Sequence, residues 1–149
     1  MENLEDKAHV FGGIFILANR LQILGDKFDE ELTLKQWLLL IGIMKNTETA
    51  PTISEVASFI GNSRQNVKKM AVILVKKGFI SLEKDLKDAR ILRINITSKC
   101  QNHFKQRESR ELEFFENLYQ GFDTNLLKGL NNGITKLAEN IMEMEKNYD

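Results

Sequence analysis

The stretch GNSRQNVKKMAVILVKKGFISLEKDLKDARILRINIT, residues 61–97, decides the fold of this 149-residue chain. It holds nine of the chain's 21 Lys and Arg (Arg64, Lys68, Lys69, Lys76, Lys77, Lys84, Lys87, Arg90, Arg93) against three acids (Glu83, Asp85, Asp88), a net charge of +6. The whole chain is formally neutral, so the remainder sums to −6. A basic block inside an otherwise acidic chain points to a surface that meets phosphate, provided its residues fold onto one face. Their spacing predicts that they do. Val67, Met70, Ala71, Leu74 and Val75 recur at i, i+3, i+4, i+7 and i+8, the helical repeat, with Ser63 placed as N-cap and Gly78 as stop. The opposite face carries Arg64, Gln65, Lys68, Lys69 and Lys76. Lys and Arg neutralise phosphates, whereas Gln and Asn also present paired donors and acceptors to adenine in the major groove.

Upstream, Thr52 and Glu55 have the spacing of a capping box and open a short helix with Ile53, Val56, Ala57 and Ile60 inward. Gly61 and Asn62 supply a tight turn. Two helices joined by a short Gly-containing turn, the second basic and polar outside, meet the requirements of a helix-turn-helix. After Gly78 the period changes to two: Phe79, Ile80 and Leu82 begin a strand, Lys84 to Asp88 make a polar turn, and Ile91, Arg93, Asn95 alternate with Leu92, Ile94, Ile96. A strand, charged turn and strand behind a recognition helix form a wing.

Here the chain resembles the MarR-type (multiple antibiotic resistance regulator) transcription factors. Their wing pattern, Asp-x-Arg-x-x-x-aliphatic-x-aliphatic-Thr, is matched by Asp88, Arg90, Ile94, Ile96 and Thr97. Leu32 and Thr33, Gln36 opening a helix, and Leu74, Gly78, Phe79 and Ile80 around the end of the recognition helix fit as well. The likeness spans essentially the full length, since that family places one long helix before the winged domain and two after it. Cys100 stands where the family commonly has Gly, just after the Thr97 cap, and Leu82 where it often has Arg, a departure that removes one of the phosphate contacts the resemblance would imply.

The ends of the chain read as long helices. Val10, Ile14, Leu17, Leu21 and Leu24 form one apolar stripe, widened by Phe11, Phe15 and Ala18. Leu112, Phe115, Leu118 and Tyr119 form another, a turn follows at Gly121 to Asp123, and the last helix carries Leu126, Leu127, Leu130, Ile134, Leu137, Ile141 and Met144. A small winged domain cannot cover that surface, which points to packing between subunits. Pro51, the single proline, falls in a loop between helices. No run of eighteen apolar residues occurs, Met1 to Lys7 is acidic, and one cysteine cannot form an internal disulfide, so the expected location is the cytoplasm, without a membrane partner.

Plainer readings stand beside these. The basic helix face can be merely solvated. Arg90 can be an ion pair with Asp88 at a tight hairpin, whereas the resemblance implies a wing tip at a minor groove. Cys100 and His103 at i, i+3 would supply only half a metal site, and His9 is the only other His. A redox role for Cys100 finds only Lys99 and Lys105 nearby to lower its pKa. Trp37, Phe11 and Phe15 read as core aromatics, while the resemblance suggests the lining of a small-molecule cavity. No nucleophile elbow, phosphate loop, HxxxH or CxxC pattern supports an enzyme.

The expected fold is mainly α with a small β wing (α+β): a single domain over 1–149, with an N-terminal dimerisation helix (1–31), a winged helix-turn-helix (32–97) and C-terminal dimerisation helices (98–149). The expected function is a sequence-specific double-stranded DNA-binding transcriptional regulator, a homodimeric repressor on a near-palindromic operator, with a small-molecule effector as a further partner and neither metal nor cofactor. Ser63, Arg64, Gln65, Asn66, Lys68, Lys69, Lys87 and Arg90 are the expected DNA-binding residues; Leu126, Leu130, Ile134, Leu137 and Ile141 are the expected dimer seam. The rival is a winged-helix protein-interaction or antirepressor module that does not itself bind DNA.

Overall fold

In the computed structural model, which describes residues 1–45 and 48–148, the elements run α1 (Leu4–Phe28), α2 (Leu34–Met44), α3 (Ile53–Ile60), α4 (Arg64–Lys76), β1 (Ile80–Lys84), β2 (Leu92–Ile96), α5 (Ser98–Leu118) and α6 (Thr124–Lys146). The chain divides into two compact units, Met1–Phe104 and Lys105–Asp149, with α5 running from the first into the second.

Local chemistry sets the helix starts. Thr33 and Gln36 form a capping box for α2: Thr33 Oγ1 accepts from Gln36 N at 3.2 Å and Gln36 Oε1 from Thr33 N at 3.1 Å. Gln36 is thus the third residue of α2, which begins two residues before the Gln36 start that the sequence suggested. Thr52 and Glu55 do the same for α3, and Thr97 Oγ1 accepts from Cys100 N at 3.3 Å while donating to Gly78 O at 2.6 Å. Each such cap stabilises its helix by about 1 kcal/mol.

The core of the first unit joins Leu39, Leu40 and Ile43 of α2, Ile53, Val56 and Ala57 of α3, Val67, Ala71 and Leu74 of α4, Phe79, Ile80 and Ile94 of the wing, and Cys100 of α5. Val75, read as part of the inward stripe, is instead exposed: it lies about 100° round the helix from Leu74, past the buried edge.

β1 and β2 pair antiparallel with Ile80 opposite Ile96 and Leu82 opposite Ile94, which places the apolar members on one face. Pro51 is more than a helix breaker. It is buried, its carbonyl accepts from Ile94 N at 2.9 Å, and neighbouring Thr52 bridges to Arg93, so the chain entering α3 adds a short third edge to the wing. An edge position suits a residue without an N–H.

No residue of α1 or α6 is buried. By length and composition α1 is also apolar enough to cross a bilayer, although Asn19, Arg20 and Gln22 interrupt its stripe with groups costly in hydrocarbon.

Candidate nucleic-acid interface

The α3–α4 turn is built by backbone necessity. Gly61 takes the left-handed conformation (φ 69°), where a side chain would be strained, and Asn62 N then returns to Ala57 O at 2.9 Å. Ser63 caps α4 by accepting from Asn66 N at 3.1 Å. With Val67, Ala71 and Leu74 buried on one side, Arg64, Gln65, Asn66, Lys68 and Lys69 are all left exposed on the other.

The wing tip is ordered by two aspartates. Asp85 Oδ2 accepts from the N–H groups of Lys87 and Asp88, both at 3.0 Å, and its Oδ1 accepts from Arg93 Nε at 2.6 Å. Arg93 also donates through Nη1 to Ala50 O at 2.7 Å, tying the wing to the segment before α3. The Arg93 hydrogen bond, followed by the two backbone donors, holds the Asp85 carboxyl below its usual pKa. Asp88 pairs bidentately with Arg90: Nε to Oδ1 and Nη2 to Oδ2, each at 3.0 Å. That contact lowers Asp88 and raises Arg90. The hairpin ion pair anticipated from the sequence therefore forms, yet the Arg90 side chain remains 91% exposed and its Nη1 stands outside the pair. The guanidinium is held in place and still presented.

Between helix and wing lies an open concavity of about 480 Å3, lined by Thr52, Ile53 and Ser54 from the start of α3, Arg64, Gln65 and Lys68 from α4, and Arg90, Ile91 and Leu92 from the wing. Four of the sequence-predicted residues, Arg64, Gln65, Lys68 and Arg90, thus meet on one surface. Ser63, the cap of α4, and Asn66 and Lys69 on that helix lie outside that lining, and Lys87 sits at the wing tip, also outside it. Thr52 and Ser54 were missed. Their position two helices from the wing gives no sequence signal, because only the fold brings the start of α3 beside Arg90.

The +6 block is not uniformly available. Lys77 Nζ donates to Glu31 O at 2.5 Å, and Arg93 is committed to Asp85 and Ala50. Both are structural cations rather than solvated ones. Gln65 keeps a free hand by comparison with Asn66, whose Nδ2 donates to Asn62 Oδ1 at 3.1 Å.

The remaining candidates resolve differently. Burial pushes the Cys100 thiol up to about 11, so it is not a thiolate at neutral pH. Both ring nitrogens of His103 meet carboxylates: its Nε2 lies 2.7 Å from Asp29 Oδ2 and its Nδ1 3.0 Å from Glu31 Oε2. Phe11 and Phe15 are exposed and meet edge to face at 5.2 Å, and Trp37 is half-buried; none of the three lines the concavity. Leu126, Leu130, Ile134, Leu137 and Ile141 are all exposed on α6.

No protein-family model matches the chain, and no curated protein does. Solved structures do. A MarR protein from Peptoclostridium difficile superposes with a TM-score of 0.82 at 17% identity, over 95% of this chain and 92% of that one. The transcriptional regulator SlyA gives 0.81 at 22%, over 94% and 99%. The S. aureus MepR–DNA complex gives 0.75 at 16%, over 85% and 94%. At such identities the likeness is one of fold: this chain has the winged helix-turn-helix fold of the MarR-family regulators.

Proposed function

We infer that the chain is a sequence-specific double-stranded DNA-binding transcriptional regulator of the MarR type, not an enzyme, and that it acts as a homodimeric repressor in the cytoplasm. The observation that carries this reading is the concavity in which Arg64, Gln65 and Lys68 of α4 face the same opening as Arg90 of the wing. A helix that combines cations with an amide, flanked by a presented guanidinium, suits a major groove with its neighbouring minor groove. The solved MepR structure, with DNA bound, supports the same use of this fold.

The exposed apolar stripe of α6 supports a dimer. Leu126, Leu130, Ile134, Leu137 and Ile141 are 38–58% exposed, and covering what remains of five such side chains is worth roughly 4–7 kcal/mol per protomer. The exposed face of α1 belongs to the same device rather than to a membrane. A two-fold dimer would carry its recognition helices about 34–36 Å apart, one turn of the duplex, and so favour a near-palindromic operator. The resemblance adds a small-molecule effector as a further partner. Mobility shift on duplex DNA at two salt concentrations tests the reading: retarded duplex that is released at the higher salt supports it, and no retardation at either contradicts it.

A further inference from the structure

The side chain of Asn62, in the turn before α4, lies against Asn66 in the first turn of that helix. Asn62 Oδ1 accepts from Ser63 N at 2.8 Å and from Asn66 Nδ2 at 3.1 Å. The chemistry fixes which end of each amide is which. A backbone N–H can only donate, so the Asn62 atom facing Ser63 N is its oxygen; whatever else shares that oxygen must also donate, so Asn66 turns its nitrogen toward the turn. An amide carries oxygen and nitrogen as the two arms of one planar fork, so tying the nitrogen to Asn62 turns Asn66 Oδ1 away from that residue. Reversing the Asn66 amide would set its oxygen against the Asn62 oxygen, acceptor to acceptor, and lose the bond, while the backbone N–H held by Ser63 Oγ at 3.1 Å keeps the residue within the cap.

Resting on the DNA-binding reading above, we propose that Asn62 is a positioning residue that locks the Asn66 amide with its oxygen outward, making Asn66 an acceptor-presenting, specificity-determining residue. In the major groove the bases that offer a donor to such an oxygen are adenine, through N6, and cytosine, through N4; guanine N7 and O6 and thymine O4 are acceptors and leave the oxygen unpaired even where the second Nδ2 hydrogen reaches them. Asn62 itself touches no base. Its effect is to remove the alternative amide orientation, in which Asn66 would offer a donor and accept guanine or thymine equally well.

The test is selection of duplexes from a random pool by the full-length protein, followed by affinity measurements on the selected site and its single-base variants. The wild-type protein should prefer adenine or cytosine at one position of each half-site, by on the order of tenfold over guanine and thymine. Asn66→Ala should erase that preference. Asn62→Ala should bind the selected site within a few-fold of wild type yet admit guanine and thymine at that position, and the double variant Asn62→Ala/Asn66→Ala should discriminate no worse than Asn66→Ala alone. Asn62→Asp keeps an acceptor oxygen, so it should retain the base preference while binding every sequence more weakly through its added charge. Unchanged discrimination in Asn62→Ala, additive losses in the double variant, or a wild-type preference for guanine or thymine at the position lost in Asn66→Ala would each overturn the proposal with DNA binding intact. A wild-type protein that retains no duplex would overturn the DNA-binding reading itself, and this proposal with it.

Discussion

Replacing Lys69 by Ala and, separately, Lys77 by Ala distinguishes cations that meet phosphate from cations that hold the fold. Both belong to the basic block, but Lys77 Nζ is spent on Glu31 O at 2.5 Å while Lys69 is exposed on α4. Four exposed cations of the proposed interface, Arg64, Lys68, Lys69 and Lys87, have no ion pair among the described residues, and Arg90 is already offset by Asp88. Taking four phosphate contacts per protomer at about −0.9 each, log K should fall against log salt with a slope of about −3.6 per half-site and about −7 for a dimer on a full site. Raising salt fourfold, from about 50 to 200 mM, would then weaken a half-site about 150-fold. Fluorescence anisotropy of a labelled duplex across that range reads the slope directly. Lys69→Ala should flatten it by about one per protomer. Lys77→Ala should leave it unchanged even if the variant melts earlier. A slope near zero, or equal flattening by the two substitutions, would refute the division of the block into interface and structural cations.

Gln65→Ala, which removes the one amide lining the concavity, should cost about 1–3 kcal/mol on the preferred site and much less on random duplex, and equal losses on both would reassign Gln65 to the backbone. Arg90→Ala should leave the melting temperature close to wild type, since its side chain is 91% exposed, and should weaken binding more on sites with A·T-rich flanks; a lower melting temperature with no flank dependence would make the Asp88 pair its whole role. Because Asp85 and Asp88 are both held below the ordinary 3.8, their contribution to the wing is complete above that value and is lost as pH falls through the lower folded values. Protection of the β1 and β2 amides, relative to their intrinsic exchange, should therefore fall on acidification below about pH 4, a step that Asp85→Asn should diminish and Asp85→Asn with Asp88→Asn abolish; an unaltered profile in the double variant would count against it. Leu130→Glu with Leu137→Glu should give a monomer, or an unstable chain, by sedimentation, and a wild-type monomer at micromolar concentration would dispose of the dimer seam.

The legible parts of this fold were those decided within a turn or two of chain. The Thr52–Glu55 capping box, the Ser63 cap, the Gly61 turn and the period-two wing all depend on neighbours close in sequence, and each forms, though the strands begin one residue later than read, at Ile80 and Leu92, and Lys84 ends β1 rather than opening the turn. The exposed polar face of α4 followed from the same helical repeat that buries Val67 and Leu74. What stayed hidden were long-range commitments: Lys77 reaching 46 residues back to Glu31, Arg93 reaching 43 back to Ala50, and Pro51 serving as a wing edge. Charge counting treats all nine cations alike, and only packing reveals which are spent. The Asn62–Asn66 contact is a different case. Two asparagines four apart, flanking an N-cap serine, form a local signal that could have been read directly.

Selection of bound duplexes from a random pool tests the central claim most directly, because it asks at once whether this surface reads DNA and whether two copies do so together. The account predicts enrichment of a near-palindrome whose half-sites lie one helical turn apart, about 34–36 Å. A pool that emerges with no sequence enriched over the input would contradict it.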